Sequence, residues 1–234
     1  MYYNMSGLFW HPRWLPGAGL FSERGYMLHL SRSALISSLL LFCAFTSALA
    51  AETDTPGPAD VIRSFSAALL ESMKRADELG YSGRYKLLEP VIKESFALSF
   101  MAGQSVGSNW KTLTKEQQDT FLRVYTEWTI ASYAGRFDSY SGQRFELVSE
   151  SEPDKSTVTV VSKMVRAKKE PIVFSYKLRK IEGKWHIVDI QISGVSQLAL
   201  TRSQFVNVLK EKGLKGLISL LNDKIEGFSQ GTNQ

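Results

Sequence analysis

The residue best suited by type to do chemistry is Asp189, set among apolar residues in the run KWHIVDIQIS. A carboxylate in an apolar pocket with a tyrosine nearby can act as a general base, and Tyr125, Tyr133 and Tyr176 are the tyrosines at hand. A carboxylate near a strand end can equally well accept backbone or arginine hydrogen bonds. Arg202, which follows the turn at Gly194, is the candidate partner. At strand period, Asp189 shares a face with Trp185, Ile187 and Gln191, while His186, Val188, Ile190 and Ile192 take the other. Other chemistries lack their residues. Past residue 50 the chain has a single histidine, His186, and no cysteine, so a histidine- or thiolate-held metal site is excluded. No G-x-S-x-G and no glycine-rich phosphate loop occurs, and no cofactor is expected.

The elements that would position Asp189 are legible from periodicity. PADVIRSFSAALLESMKRADELG carries apolar residues near helical spacing, with Pro58 at its start and Gly80 past its end. YSGRYKLLEPVIKESFALSFMAGQSVG reads as short helices broken near Pro90 and at Gly103 and Gly107. LTKEQQDTFLRVYTEWTIASYAGRF is a long helix opened by a capping box, Thr114 with Gln117. From about Ser141 the pattern changes to QRFELVSE, STVTVVSKMVRA, PIVFSYKLRKI and KWHIVDIQIS, which are β-branched, aromatic and separated by short turns. Ile172, Phe174, Tyr176 and Leu178 alternate on one face. Four strands so joined form an antiparallel meander. Helix returns from Arg202 to Lys212 and from Leu214 to about Ile225, after Gly213. The order helices, strands, helices predicts an α+β domain with a curved four-stranded sheet, or a slightly larger one, that helices cover on one side.

The first fifty residues are of another kind. Ala34 to Ala50 is an apolar, uncharged run that follows Arg32 and ends in the A-x-A of Ala48 to Ala50. That is the build of a cleavable export signal, too short for a span of ~20 apolar residues. Met27 is an alternative start. The domain plan is then a signal over 1–50, a flexible opening over 51–57, one domain over 58–228 and a disordered tail over 229–234. Cys43 lies in the signal, and a cysteine-free exported chain fits a bacterial periplasm, its stability resting on its core alone. The net charge is +5, from 28 Lys and Arg against 23 Asp and Glu spread along the chain. With no basic block there is no sign of a nucleic-acid partner, and a monomer is expected.

Aromatic residues are in surplus on the long helix. Phe121, Tyr125 and Trp128 form one stripe, and Val124, Ala131, Ala134, Tyr133 and Phe137 widen the apolar surface well past the ≳ 100° that one packing partner needs. Either the helix is buried on all sides, or one face packs on the sheet and another lines a ligand cavity.

G-K-W-x-x-x-D, then G-V-S, then R-S-Q-F, over Gly183 to Phe205, resembles the C-terminal signature of the MlaC family of periplasmic lipid-binding proteins, also known for toluene tolerance as the auxiliary component of an ABC transporter. VGSNWKTLTKEQQDTFLRVYTEW and SYAGRFDSYSG are similar to further motifs of that family, and the likeness covers about Pro58 to Leu221. GVSQLALTRSQF, with Leu200 and Thr201 before the arginine, is closer to the hopanoid-associated HpnM branch. The resemblance implies an NTF2-like sheet with helices around a deep apolar cavity, and no enzyme activity. It implies a carrier of phospholipid or hopanoid that moves between the two membranes. Its partners would be an inner-membrane complex of an MCE ring with an ABC transporter and an outer-membrane lipoprotein.

On this expectation the cavity wall is Phe65, Leu69, Val91, Phe96, Phe100 and Met101 from the first helices, Phe121, Tyr125, Trp128 and Tyr133 from the long helix, and Phe174 and Tyr176 from the sheet. Its mouth is expected near Phe96–Trp110. Trp185, Asp189, Gly194, Arg202 and Phe205 would organise the strand-to-helix corner. Two alternatives remain: an enzyme on the same scaffold with Asp189 as base, and an adaptor with a filled core.

Overall fold

The computed structural model describes residues 55–154, 156–167 and 169–231. The apolar run at 34–50, Met27 and Cys43 lie outside the described residues, as do residues 232–234 of the expected tail.

Helix α1 spans Pro58–Lys74. Proline at its first position has its φ already set for a helix, and Asp60 accepts the Gly57 N–H at 3.1 Å. Ile62, Phe65, Leu69 and Met73, three or four apart, form its buried stripe. Helix α2 spans Ala76–Ser95. The break expected near Pro90 does not occur. Pro90 is exposed, so the hydrogen bond that its ring nitrogen cannot donate is lost on the solvent side. The backbone instead leaves helical geometry at Gly80 (φ 55°, ψ −175°), a region that only glycine adopts readily. Phe96 then runs alongside the last sheet strands, where the Ala97 N–H donates to the Ile187 carbonyl at 2.9 Å. Helix α3 (Leu98–Val106) and a 3₁₀ turn (Gly107–Thr112) lead to α4, Lys115–Arg136. The reciprocal cap is in place: Gln117 N–H donates to the Thr114 hydroxyl at 3.2 Å, and Thr114 N–H to the Gln117 side chain at 2.9 Å.

Five antiparallel strands follow in the order β1-β2-β3-β4-β5: Arg144–Asp154, Thr157–Arg166, Lys169–Ile181, Lys184–Ile192 and Val195–Ser196. The fold is α+β, with an open curved sheet and helices before and after it. Glu182 (φ 50°) with Gly183 (φ 83°), and Ser193 (φ 50°) with Gly194 (φ 83°), make the two tight turns around β4. Both central residues are left-handed, as a two-residue hairpin requires. Val160 faces Tyr176, Ser162 faces Phe174 and Met164 faces Ile172, so the concave face is a largely apolar surface.

Strand β4 departs from simple alternation. Lys177 pairs with Asp189 but Leu178 pairs with Ile187, which leaves Val188 as the extra residue of a bulge. Ile187, opposite Leu178, therefore shares the concave face with Ile190 and Ile192, which face Tyr176 and Phe174. This corrects the strict alternation expected for β4, which set Ile187 apart from the other two.

Helix α5 spans Gln197–Ser229 and begins five residues before the expected Arg202, because Ser196 caps it and accepts the Ala199 N–H at 3.0 Å. Its axis breaks at Gly213 (φ 65°, ψ −175°). Gly135 of α4 lies against Phe228 so closely that an added Cβ would come within 2.6 Å of the ring. Among the described residues, no helix is long and apolar enough to cross a membrane.

Candidate functional site

Between the concave face and the helices lies a cavity of about 180 Å³. Helix α1 contributes Phe65, Leu69 and Met73, and the stretch before and within α3 contributes Phe96 and Met101. From α4 come Tyr125, Trp128, Thr129, Ser132, Tyr133 and Arg136. The sheet supplies Met164, Ile172, Phe174, Tyr176, Ile190 and Ile192, and α5 supplies Gln197, Leu198 and Thr201. Phe65 organises the aromatic side: its ring makes edge contacts with Phe96 at 5.1 Å, Tyr133 at 5.3 Å and Tyr176 at 6.4 Å.

Phe96 and Met101 are only 4% and 7% exposed. The part-exposed lining residues are instead Trp128, Tyr133, Arg136, Phe137 and Ser139 along the second half of α4 and just past it, with Ile192, Gln197 and Leu198 where β4 gives way to α5. The mouth therefore lies there and not at Phe96–Trp110, which supplies only the buried Phe96 and Met101.

Phe65, Leu69, Phe96, Met101, Tyr125, Trp128, Tyr133, Phe174 and Tyr176, all named from the sequence, meet around this cavity. Val91, Phe100 and Phe121 do not. Val91 packs on the outside of the helical core. Phe100 is turned outward under the Arg179 guanidinium, 5.5 Å away. Phe121 is fully buried among Trp110, Tyr125 and Phe205, since a stripe position fixes a face but not the neighbour it meets. Sequence reasoning missed Ser132 and Arg136, although extending the stripe from Trp128 in steps of four reaches both. It also missed Met164, Ile190 and Ile192, which needed the sheet register.

Asp189 stands outside the cavity lining. Its carboxylate accepts the Ser196 hydroxyl at 2.7 Å and the Leu198 N–H at 3.2 Å, so each oxygen holds the start of α5. Arg202 is not its partner: one turn beyond Leu198, its guanidinium lies against Gly107. Gly194 sits in the turn before β5, but Trp185 pairs with Lys180 at the far end of β4, and Phe205 belongs to the aromatic cluster with Trp128 at 5.5 Å. The corner is thus Asp189, Gly194, Ser196 and Leu198, without Trp185, Arg202 or Phe205.

The electrostatics of the wall follow from burial. Desolvation pushes the hydroxyls of Tyr133, Tyr125 and Tyr176 well above the ordinary phenol range, with the Asp189 charge adding to the effect at Tyr125. It lowers the Arg136 guanidinium to about 10, still a cation at neutral pH. That cation lies over the Phe228 ring at 5.0 Å. Such a space can hold a long apolar body, with one positive charge near its mouth.

The family model described as MlaC protein matches residues 63–223. The intermembrane phospholipid transport system binding protein MlaC of Haemophilus influenzae is 29% identical over 126 residues, which make up 52% of this chain and 59% of that protein. The phospholipid-binding protein from Ralstonia solanacearum, solved in complex with a phospholipid, superposes with a TM-score of 0.63 at 20% identity. That superposition covers 72% of this chain and 97% of the other. At that identity the likeness establishes a shared fold.

Proposed function

The chain belongs to the MlaC family, and from that premise we propose that it is a periplasmic lipid carrier, not an enzyme, that takes lipid tails into the cavity between its sheet and α4. The observation that carries this reading is the cavity itself: its surface is largely apolar, and its part-exposed residues lie along the second half of α4 and at the start of α5. Two similar proteins, one a phospholipid transport system binding protein and the other a phospholipid-binding protein, support it.

The energetics favour such a device. Each methylene costs ~0.8 kcal/mol in water, so two tails of ~15 carbons cost on the order of 20 kcal/mol. An apolar cavity removes most of that cost without a catalytic group. A water-sized group needs ~10–15 Å³ by this measure, so a cavity of about 180 Å³ holds the bulk of about one tail. Seating two tails requires the helices to move outward. The sheet is tied by its ladder, whereas α1 and α4 bound the cavity through side chains alone.

The finer reading follows the sequence. GVSQLALTRSQF favours the hopanoid-associated branch, so the ligand is phospholipid or hopanoid. The carrier would serve an inner-membrane MCE and ABC transporter complex and an outer-membrane lipoprotein, after export by a cleaved leader over residues 1–50. The domain would occupy residues 58–228. Native mass spectrometry of protein isolated from its own cells, with lipid transfer between vesicles as second readout, tests the carrier role. A co-purifying lipid identifies the ligand class. Lipid-free protein that extracts nothing from vesicles would refute it.

A further inference from the structure

Three of the six residues that α4 turns to the cavity lie on one line. Trp128, Ser132 and Arg136 are four residues apart, so they stand one above another over roughly 12 Å of helix. All are hydrogen-bond donors, and two are unsatisfied: Trp128 Nε1 and Ser132 Oγ are buried with no partner among the described residues. Thr129, beside them, shows what is ordinarily done with such a group, for its hydroxyl donates back to the Tyr125 carbonyl at 2.8 Å. Ser132 does not close that bond although the side chain is 4% exposed and lines the cavity. Across the space stand Met164, Ile172, Phe174, Ile190 and Ile192, none of them an oxygen acceptor, together with Tyr176 and Gln143, whose oxygens bond neither donor, the Gln143 amide oxygen accepting the Ser141 N–H. A buried donor left unmade is costly, so two neighbouring ones in the wall of a binding cavity point to an acceptor that arrives with the ligand.

On the carrier reading above, we propose that Ser132 and Trp128 form a subsite for ester carbonyls. They donate to the carbonyl oxygens of an acyl ester lipid lying along α4, with Arg136 at its more polar end. Hydrocarbon of the same bulk, a polycyclic skeleton or an ether-linked tail, offers these donors nothing. The cavity then selects for ester linkage and not for apolar volume alone. The selection also fixes orientation, since the unpaired donors line the α4 wall and the sheet wall is hydrocarbon apart from Tyr176.

A competition between two lipids isolates the effect. The full chain is incubated with vesicles holding equal amounts of a diacyl phosphatidylglycerol and its dialkyl ether analogue of matched tail length, and the bound ratio is read by native mass spectrometry. Native protein should favour the ester by about threefold or more, as hydrogen bonds of ordinary strength would give. Ser132→Ala and Trp128→Phe should each move the ratio toward one. The ratio is internally controlled, because a misfolded fraction loses both lipids alike. A native ratio of about one overturns the subsite and leaves the carrier standing. A preference that survives both substitutions likewise overturns it. Uptake of neither lipid would sink carrier and subsite together.

Discussion

Ser196 gives its hydroxyl hydrogen to Asp189 at 2.7 Å and, through the same oxygen, accepts the Ala199 N–H at 3.0 Å. One hydroxyl thus joins a strand carboxylate to the first turn of α5, and Asp189 adds a second bond to the Leu198 N–H. Asp189→Asn replaces an acceptor oxygen with an amide donor facing one of these groups. It should cost about 1–3 kcal/mol in urea unfolding, and Ser196→Ala about 1 kcal/mol. Lipid bound per folded molecule should stay as in the native protein. An Asp189→Asn protein of unchanged stability that has lost an activity would restore the catalytic alternative.

The contact between α4 and the end of α5 depends on a missing side chain. Gly135 meets the Phe228 ring where a methyl group would stand 2.6 Å from it and 3.1 Å from its Cβ. Gly135→Ala should therefore destabilise the fold by about 1–3 kcal/mol despite the better helix propensity of alanine. A midpoint that rises in urea would show that the two helices can part freely.

Trp128→Arg sets a cation among the tails, where burial without a counter-charge is costly. Loading from vesicles should fall strongly, while Val148→Arg on the exposed part of β1 should load normally. Full occupancy in a well-folded Trp128→Arg protein would place the tails elsewhere.

Alkali should unfold the protein through its buried phenols. Tyr125, Tyr133 and Tyr176 titrate above the ordinary value of 10 in the fold. Above pH 10 the unfolded chain releases these protons and the folded chain keeps them, so stability is full below that point and falls above it. Each group removes ~1.4 kcal/mol per pH unit, about 4 kcal/mol for the three. Arg136, lowered to about 10, works in the opposite sense, but as one group against three. Phenolate absorbance should rise together with the loss of circular dichroism. Ionisation of Tyr125, Tyr133 and Tyr176 themselves in a still folded protein just above pH 10 would contradict this.

Features that rest on neighbours in sequence were legible before the fold was seen. The Thr114 and Gln117 cap, the Glu182–Gly183 turn and the inward set Ile172, Phe174, Tyr176 and Leu178 each follow from a few adjacent residues. What failed depends on partners distant in the chain. The Val188 bulge is defined only against β3, Pro90 is harmless only because it faces water, and Arg202 is drawn to Gly107 by the placing of α3. The cavity wall divided in the same way. Tyr125 and Trp128 belong to the stripe that holds Phe121, yet only packing shows that Phe121 is sealed behind them.

A space of about 180 Å³ inside a fold is volume that the unfolded chain does not keep. Hydrostatic pressure favours whichever state occupies less room, and the volume lost on unfolding scales with the voids that unfolding abolishes. This protein should therefore be soft to compression for its size, and a tail filling the space should harden it. A cell at ordinary pressure never tests that property. A high-pressure fluorescence cell would, and it would weigh the cavity without naming its ligand.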